Sequence, residues 1–141
     1  MKILLIVIGI LLAIQLIRPE KTNQPINESI ALKAPKEVMT ILKASCYDCH
    51  SDETKWPFYS DIAPISWSVI AHVNDGREAL NFSRWSEIDP ETKTKRLKRA
   101  IKTVNNGMMP LSDYLMFHDE AILDNDKKQI IVDWCNAQLA N

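Results

Sequence analysis

An all-α fold is predicted by three features of this 141-residue chain. It holds only three glycines, its composition is weighted to Leu, Ile, Ala, Lys and Glu, and its apolar side chains recur at three and four residues with no alternating run to compete. The length admits one compact domain with one core and excludes a multidomain enzyme. So few glycines speak against a phosphate-cradling loop scaffold and against a turn-dense sandwich. Seventeen basic and 18 acidic side chains give a formal charge of −1, so the whole chain offers no electrostatic footprint for nucleic acid.

The elements follow in order. Residues 3–17 are apolar except for Gln15, with Lys2 before them and Arg18-Pro19-Glu20 after. As a helix this run spans about 22 Å, short of the roughly 30 Å hydrocarbon core of a bilayer. That length suits a signal peptide, yet Gln15-Leu16-Ile17-Arg18-Pro19 lacks the small-x-small pattern that a signal peptidase cuts. Residues 1–20 therefore read as an uncleaved signal-anchor, with Lys2 biasing the N-terminus to the cytoplasmic side. Residues 21–29 are polar and aperiodic and read as a tether, leaving 30–141 as the domain.

In the domain, Pro35, Val38, Ile41 and Leu42 predict a helix from about Ala34 to Ser45, whose last turn delivers Cys46. A second helix runs from about Pro64 or Ser66 to Val73, with Asn74-Asp75-Gly76 as a stop or kink before a resumption through Arg77 to Leu80. The third has Asp89 as N-cap, Pro90 in the first turn, Leu97, Ala100, Ile101 and Val104 facing inward, and Asn105-Asn106-Gly107 as its stop. The fourth begins near Asp124 and buries Ile130, Ile131, Trp134 and the edge of Leu139.

The chemistry lies where the first domain helix ends, in Cys46-Tyr47-Asp48-Cys49-His50. Two thiols three residues apart with a histidine after the second form the c-type haem attachment signature. A short turn lets both sulfurs reach the vinyl groups on one porphyrin edge while the next imidazole swings beneath the iron. At this chain's own Cys and His frequencies the pattern arises by chance in about one sequence in a thousand. His50 is then the proximal iron ligand. Other uses of the thiols remain open. A thioredoxin-like redox pair wants a strand before it and a βαβ sheet around it, and a zinc site needs further ligands, for which only Cys135, His72 and His118 are at hand. A plain Cys46–Cys49 disulfide leaves His50 unexplained.

For the other side of the iron, Asn106-Gly107-Met108-Met109-Pro110 offers a thioether on a turn, and Met109 is the chosen distal ligand. Met108 is its rival, His72 and His118 are further candidates, and either methionine also suits ordinary core filling. Trp56, Phe58, Tyr59, Trp67 and Trp85 are expected around the porphyrin or in the core. Arg77 and Arg84 are candidate partners of the haem propionates, with surface salt bridges as the alternative. Lys93, Lys95, Arg96, Lys98, Arg99 and Lys102 make a basic stretch that is either a solvated face or a docking face for an acidic redox partner. Cys135 reads as a small buried hydrophobe.

The order of helix, Cys46-x-x-Cys49-His50, further helices, Met109-Pro110 and a last helix resembles the mono-haem class I cytochrome c fold. More closely, Cys49-His50-Ser51, Trp56-Pro57-Phe58-Tyr59-Ser60-Asp61-Ile62-Ala63-Pro64-Ile65-Ser66-Trp67, His72-Val73, Gly76-Arg77 and Asn81-Phe82-Ser83-Arg84-Trp85 resemble the haem-binding domain family of small bacterial cytochrome-like proteins. The resemblance covers about Ile30 to Ala140, and Gln15-Leu16-Ile17-Arg18-Pro19 is similar to that family's usual start. It implies one covalent haem c in a domain on the periplasmic face of a bacterial inner membrane, since bacterial c-type assembly occurs outside the cytoplasm. The expected function is one-electron transfer to redox partner proteins, with no catalytic residues. The alternative is a haem-based gas sensor or peroxidase-like enzyme with an open distal site, in which His72 serves as acid and base.

Overall fold

The computed structural model describes residues 1–140. Seven α-helices and three 3-10 turns account for all regular structure among them, with no strand. The helices are α1 (Lys2–Ile14), α2 (Lys36–Ser45), α3 (Tyr47–His50), α4 (Ile65–Ala79), α5 (Pro90–Asn105), α6 (Ser112–Leu115) and α7 (Asn125–Leu139).

The core forms where α2 and α5 pack on α7, because each presents one apolar stripe to the others. Val38, Ile41 and Leu42 of α2 meet Leu97 and Val104 of α5 and Ile131, Val132, Trp134 and Cys135 of α7. Two helix starts are set by side chains as expected. The Asp89 carboxylate accepts from Thr92 N at 2.9 Å, and Asp124 accepts from Lys127 N at 2.8 Å, each satisfying an amide with no partner inside its helix. On the other side α4 packs against α3 and the 3-10 turn Phe58–Asp61, burying Ile70, Val73 and Gly76.

Three features differ from expectation. Asn74-Asp75-Gly76 neither stops nor kinks α4, which continues to Ala79; the glycine is tolerated inside the helix because it serves a close approach to α3. The apolar N-terminal helix is 13 residues, about 20 Å long, and buries none of its side chains. No helix among the described residues is long and apolar enough to cross a membrane.

The third difference concerns the N-terminal connection, which lies against the domain and carries fixed hydrogen bonds. Gln15 donates to the Ala63 carbonyl at 3.0 Å and accepts from Ala63 N at 2.9 Å. Trp67 Nε1 donates to the Ile17 carbonyl at 2.8 Å, and Asn23 donates to the Thr54 carbonyl at 2.9 Å. Residues 21–23, the start of the expected tether, are also held by side chains distant in sequence, Lys21 by Asp61 and Thr22 and Asn23 by Arg77, which local polarity does not reveal.

Candidate haem-binding site

The site is built on a break between two helices. Cys46 leaves α2 with φ −131° and ψ −34°, its amide still donating to Leu42 O at 2.8 Å. Its own carbonyl then accepts from Cys49 N at 3.2 Å and His50 N at 2.9 Å, closing the single turn α3. Both thiols and the imidazole therefore sit on one turn. The loop beyond is pinned to that turn: Ser51 Oγ donates to Tyr47 O at 2.7 Å, Thr54 Oγ1 to Asp48 O at 2.7 Å, and Lys55 N to Asp48 Oδ1 at 3.0 Å.

Helix α4 supplies two supports. Gly76 lies so close to Cys49 that a Cβ there would collide with the Cys49 carbonyl. At the end of the same helix, the Leu80 carbonyl lies 3.0 Å from His50 Nδ1. A carbonyl only accepts, so the proton sits on Nδ1 and the lone pair on Nε2 is left for a metal. The acceptor is one of the carbonyls that a helix end leaves unpaired, at the negative end of its dipole. Burial lowers the pKa of His50 below 6.5, keeping the ring neutral as an iron ligand requires.

The thiols are poorly suited to redox exchange on their own. Burial, reinforced by Cys49 and Cys135, pushes Cys46 up to about 12; burial with Asp48 and Asp113 pushes Cys49 up to about 11. Thiolate is then scarce at neutral pH, which removes the nucleophile that thiol–disulfide exchange needs. The zinc alternative also fails on geometry, since no group of three or more His, Cys, Asp or Glu placed to hold a metal ion occurs among the described residues.

A hollow of about 250 Å³ opens beside this turn, walled by Cys46, Cys49, His50, His72, Arg99 and Met109 among others. A second, of about 190 Å³, shares Cys46, His50, Arg99 and Met109 and runs inward to Phe82, Leu97 and Trp134. Met109 thus lines both spaces with His50. Met108 touches only the inner one, is 62% exposed, and its sulfur accepts from Asn106 Nδ2 at 3.3 Å. His72 walls the outer hollow with its Nδ1 3.6 Å from Asp113 Oδ2. His118 is engaged elsewhere, between the Tyr59 hydroxyl at 3.0 Å and Glu120 at 3.0 Å, and stacked on Tyr114.

The two arginines expected at the propionates have protein partners. Arg77 donates to the Ser51 carbonyl, Thr54 Oγ1 and Asn23 Oδ1, each at 2.8 Å, and to the Thr22 carbonyl. Arg84 pairs with Asp52 at 3.2 Å, and Asp52, 5% exposed, also receives Asn81 Nδ2 at 3.0 Å. Neither arginine walls the hollows; Arg99, and Arg96 in the inner space, do. These two belong to the basic stretch of α5, so part of that stretch faces the site.

Among the aromatic residues, Trp85 is core, tilted on Trp134 at 5.8 Å, whereas Phe82 and Trp134 reach the inner wall. Cys135 is buried beside them. Sequence reasoning missed the Leu80 carbonyl and Tyr114, whose hydroxyl donates to Asp48 Oδ2 at 2.8 Å and whose pKa is raised by burial and that bond. Only Gly76 had left a signal, as a lone glycine inside a helical pattern.

A neutral imidazole with Nδ1 engaged, lining an apolar hollow with thioether and thiol sulfurs on its wall, gives this helical protein donors of the kind that haem iron takes. A family model described as haem-binding domain matches residues 9–137, so the chain belongs to the haem-binding domain family. No curated protein and no solved structure matches it. The residues present fit the haem that the family implies: a donor set of one imidazole and one thioether on a shared hollow, and, on its inner wall, the Trp134 indole N–H buried without a hydrogen-bond partner.

Proposed function

We propose that this protein is a mono-haem c-type cytochrome of class I arrangement that carries single electrons. Cys46 and Cys49 hold the haem through thioethers, His50 is the proximal ligand and Met109 the distal one. The observation that carries this reading is the His50 Nδ1 bond to Leu80, with Met109 on the wall of both hollows that His50 lines. A haem iron bound by imidazole and thioether supplies reversible one-electron exchange, at a higher potential than one bound by two imidazoles. The chain's own residues do the rest: Leu80 fixes the ring, Gly76 lets α4 close on the cysteines, and Leu97, Phe82 and Trp134 exclude water.

The apolar α1 supports a membrane-held protein, with the haem domain on the outer face of a bacterial inner membrane and redox proteins as partners. The test is an optical spectrum of protein made in cells competent for haem c attachment, with a pyridine haemochrome assay after denaturation. Covalent haem with an iron–thioether absorption band is expected. Met109→Ala should abolish that band and lower the potential; an unchanged spectrum would pass the distal position to Met108 or His72.

A second reading is favoured by His72, held by Asp113 on the same outer wall. With Met109 displaced, it becomes a proton-handling group in a gas-sensing or peroxide-reducing site. A wild-type spectrum that shifts on adding carbon monoxide or peroxide selects this reading over the carrier.

A further inference from the structure

Outside α1 and its exit, seven large apolar side chains are exposed, and five of them, Phe58, Ile62, Ile65, Met116 and Phe117, gather on one face. Tyr59 joins them, its ring 5.5 Å from Phe58 and 5.1 Å from Phe117, and it shares a hollow with Ile65, Met116 and Phe117. Ile62 follows the same 3-10 turn, its amide donating to Tyr59 O at 3.2 Å. A contiguous apolar patch of this kind marks a contact surface, unlike scattered exposed side chains.

What covers it is indicated by α1. The helix leaves the domain at this patch, because the Gln15 amide, which also donates to Leu11 O at 2.9 Å, exchanges two bonds with Ala63, between Ile62 and Ile65. Trp67 fixes Ile17 beside it, and Lys21 lies 5.9 Å from the Trp56 ring. Indole side chains next to an apolar surface are what a headgroup layer favours, and Lys21 lies beside them with its ammonium paired with Asp61 at 2.5 Å. The length of α1 adds a second argument. At about 20 Å it is shorter than the roughly 30 Å hydrocarbon core. A short apolar helix meets that mismatch by thinning the bilayer, by snorkelling of its flanking residues or by oligomerising, and a thinned bilayer brings the headgroup layer up to the surface that flanks the helix.

We propose that Phe58, Ile62, Ile65, Met116 and Phe117 seat the domain on the lipid surface beside the inserted α1, so that the domain has one fixed orientation on the bilayer. This rests on the membrane placement proposed above. The seat also fixes which side of the site looks at lipid, since the hollow walled by Tyr59, Ile65 and Phe117 runs in to Cys49.

Two methionines make an internal test, because Met116 and Met108 are 74% and 62% exposed and only Met116 lies on the patch. The full chain with its haem is placed in bilayer nanodiscs of phosphatidylcholine and phosphatidylglycerol, one chain per disc, and hydroxyl-radical oxidation of each methionine is read by mass spectrometry. Burial several ångströms into the interface should slow oxidation of Met116 about fivefold relative to Met108. The double variant Phe58→Asp, Phe117→Asp, altered only at exposed positions, should restore equal oxidation while the chain stays in the disc. Equal oxidation of the wild-type chain in discs would overturn the seat and leave the membrane placement standing. A chain that does not enter discs would overturn both. Protection absent at one chain per disc but present in a second preparation loaded with two chains per disc would assign the patch to a second copy and overturn the lipid seat.

Discussion

His50 and Gly76 show how much of the site turns on single atoms. His50 donates to Leu80 O, and burial lowers its pKa below 6.5. Between the folded and unfolded pKa values the unfolded chain binds a proton that the native chain refuses, so in that window stability rises with pH. Above about pH 6.5 both states are neutral and this contribution is flat; below it stability falls as pH drops. Urea midpoints of the haem-free chain between pH 8 and pH 5 should follow that curve, and His50→Gln should flatten it. Gly76→Ala tests the other support. Its Cβ would meet the main-chain carbonyl of Cys49, which has no rotamer to escape into. We expect a loss of about 3 kcal/mol in urea unfolding, at the upper end of overpacking costs, and a lower yield of covalent haem, because α3 cannot close on α4.

At the scale of elements, the caps and the periodicity carry most of the order. Asp124 caps α7, the helix that both α2 and α5 pack against, so Asp124→Ala should remove about 1 kcal/mol from the unfolding free energy. Chemical denaturation reads this directly, with the slope unchanged if only the cap is lost. The start of α5 at Pro90 and of α7 beside Asp124 were legible in sequence because cap and helix are neighbours in the chain. The passage of α4 through Asn74-Asp75-Gly76 was not legible. A local stop signal there is overruled by packing, since the glycine sits where α4 touches Cys49 and the helix end must reach His50.

For the molecule as a whole, Arg77 is the joint. Its guanidinium ties α4 to the loop after α3 through Ser51 and Thr54, and to the N-terminal connection through Thr22 and Asn23. Arg77→Lys keeps the charge and loses the planar fork, so a destabilisation of about 2 kcal/mol is expected. Amide exchange should speed up at residues 22–23 and 51–54 together, which separates a shared joint from a local contact. The sequence by itself determined the helical class, the approximate positions of the four longest domain helices, α2, α4, α5 and α7, and the turn bearing Cys46, Cys49 and His50. Each of these is written in contiguous residues, as a periodicity, a cap or a spacing. Only the tertiary structure decided that Leu80 sets the tautomer of His50, that Arg77 and Arg84 serve Asp52 and the loops, that Met109 lines both hollows, and that the N-terminal connection lies on the domain. Those outcomes depend on side chains that are tens of residues apart in the chain and meet through directional hydrogen bonds and close packing, which no local pattern records.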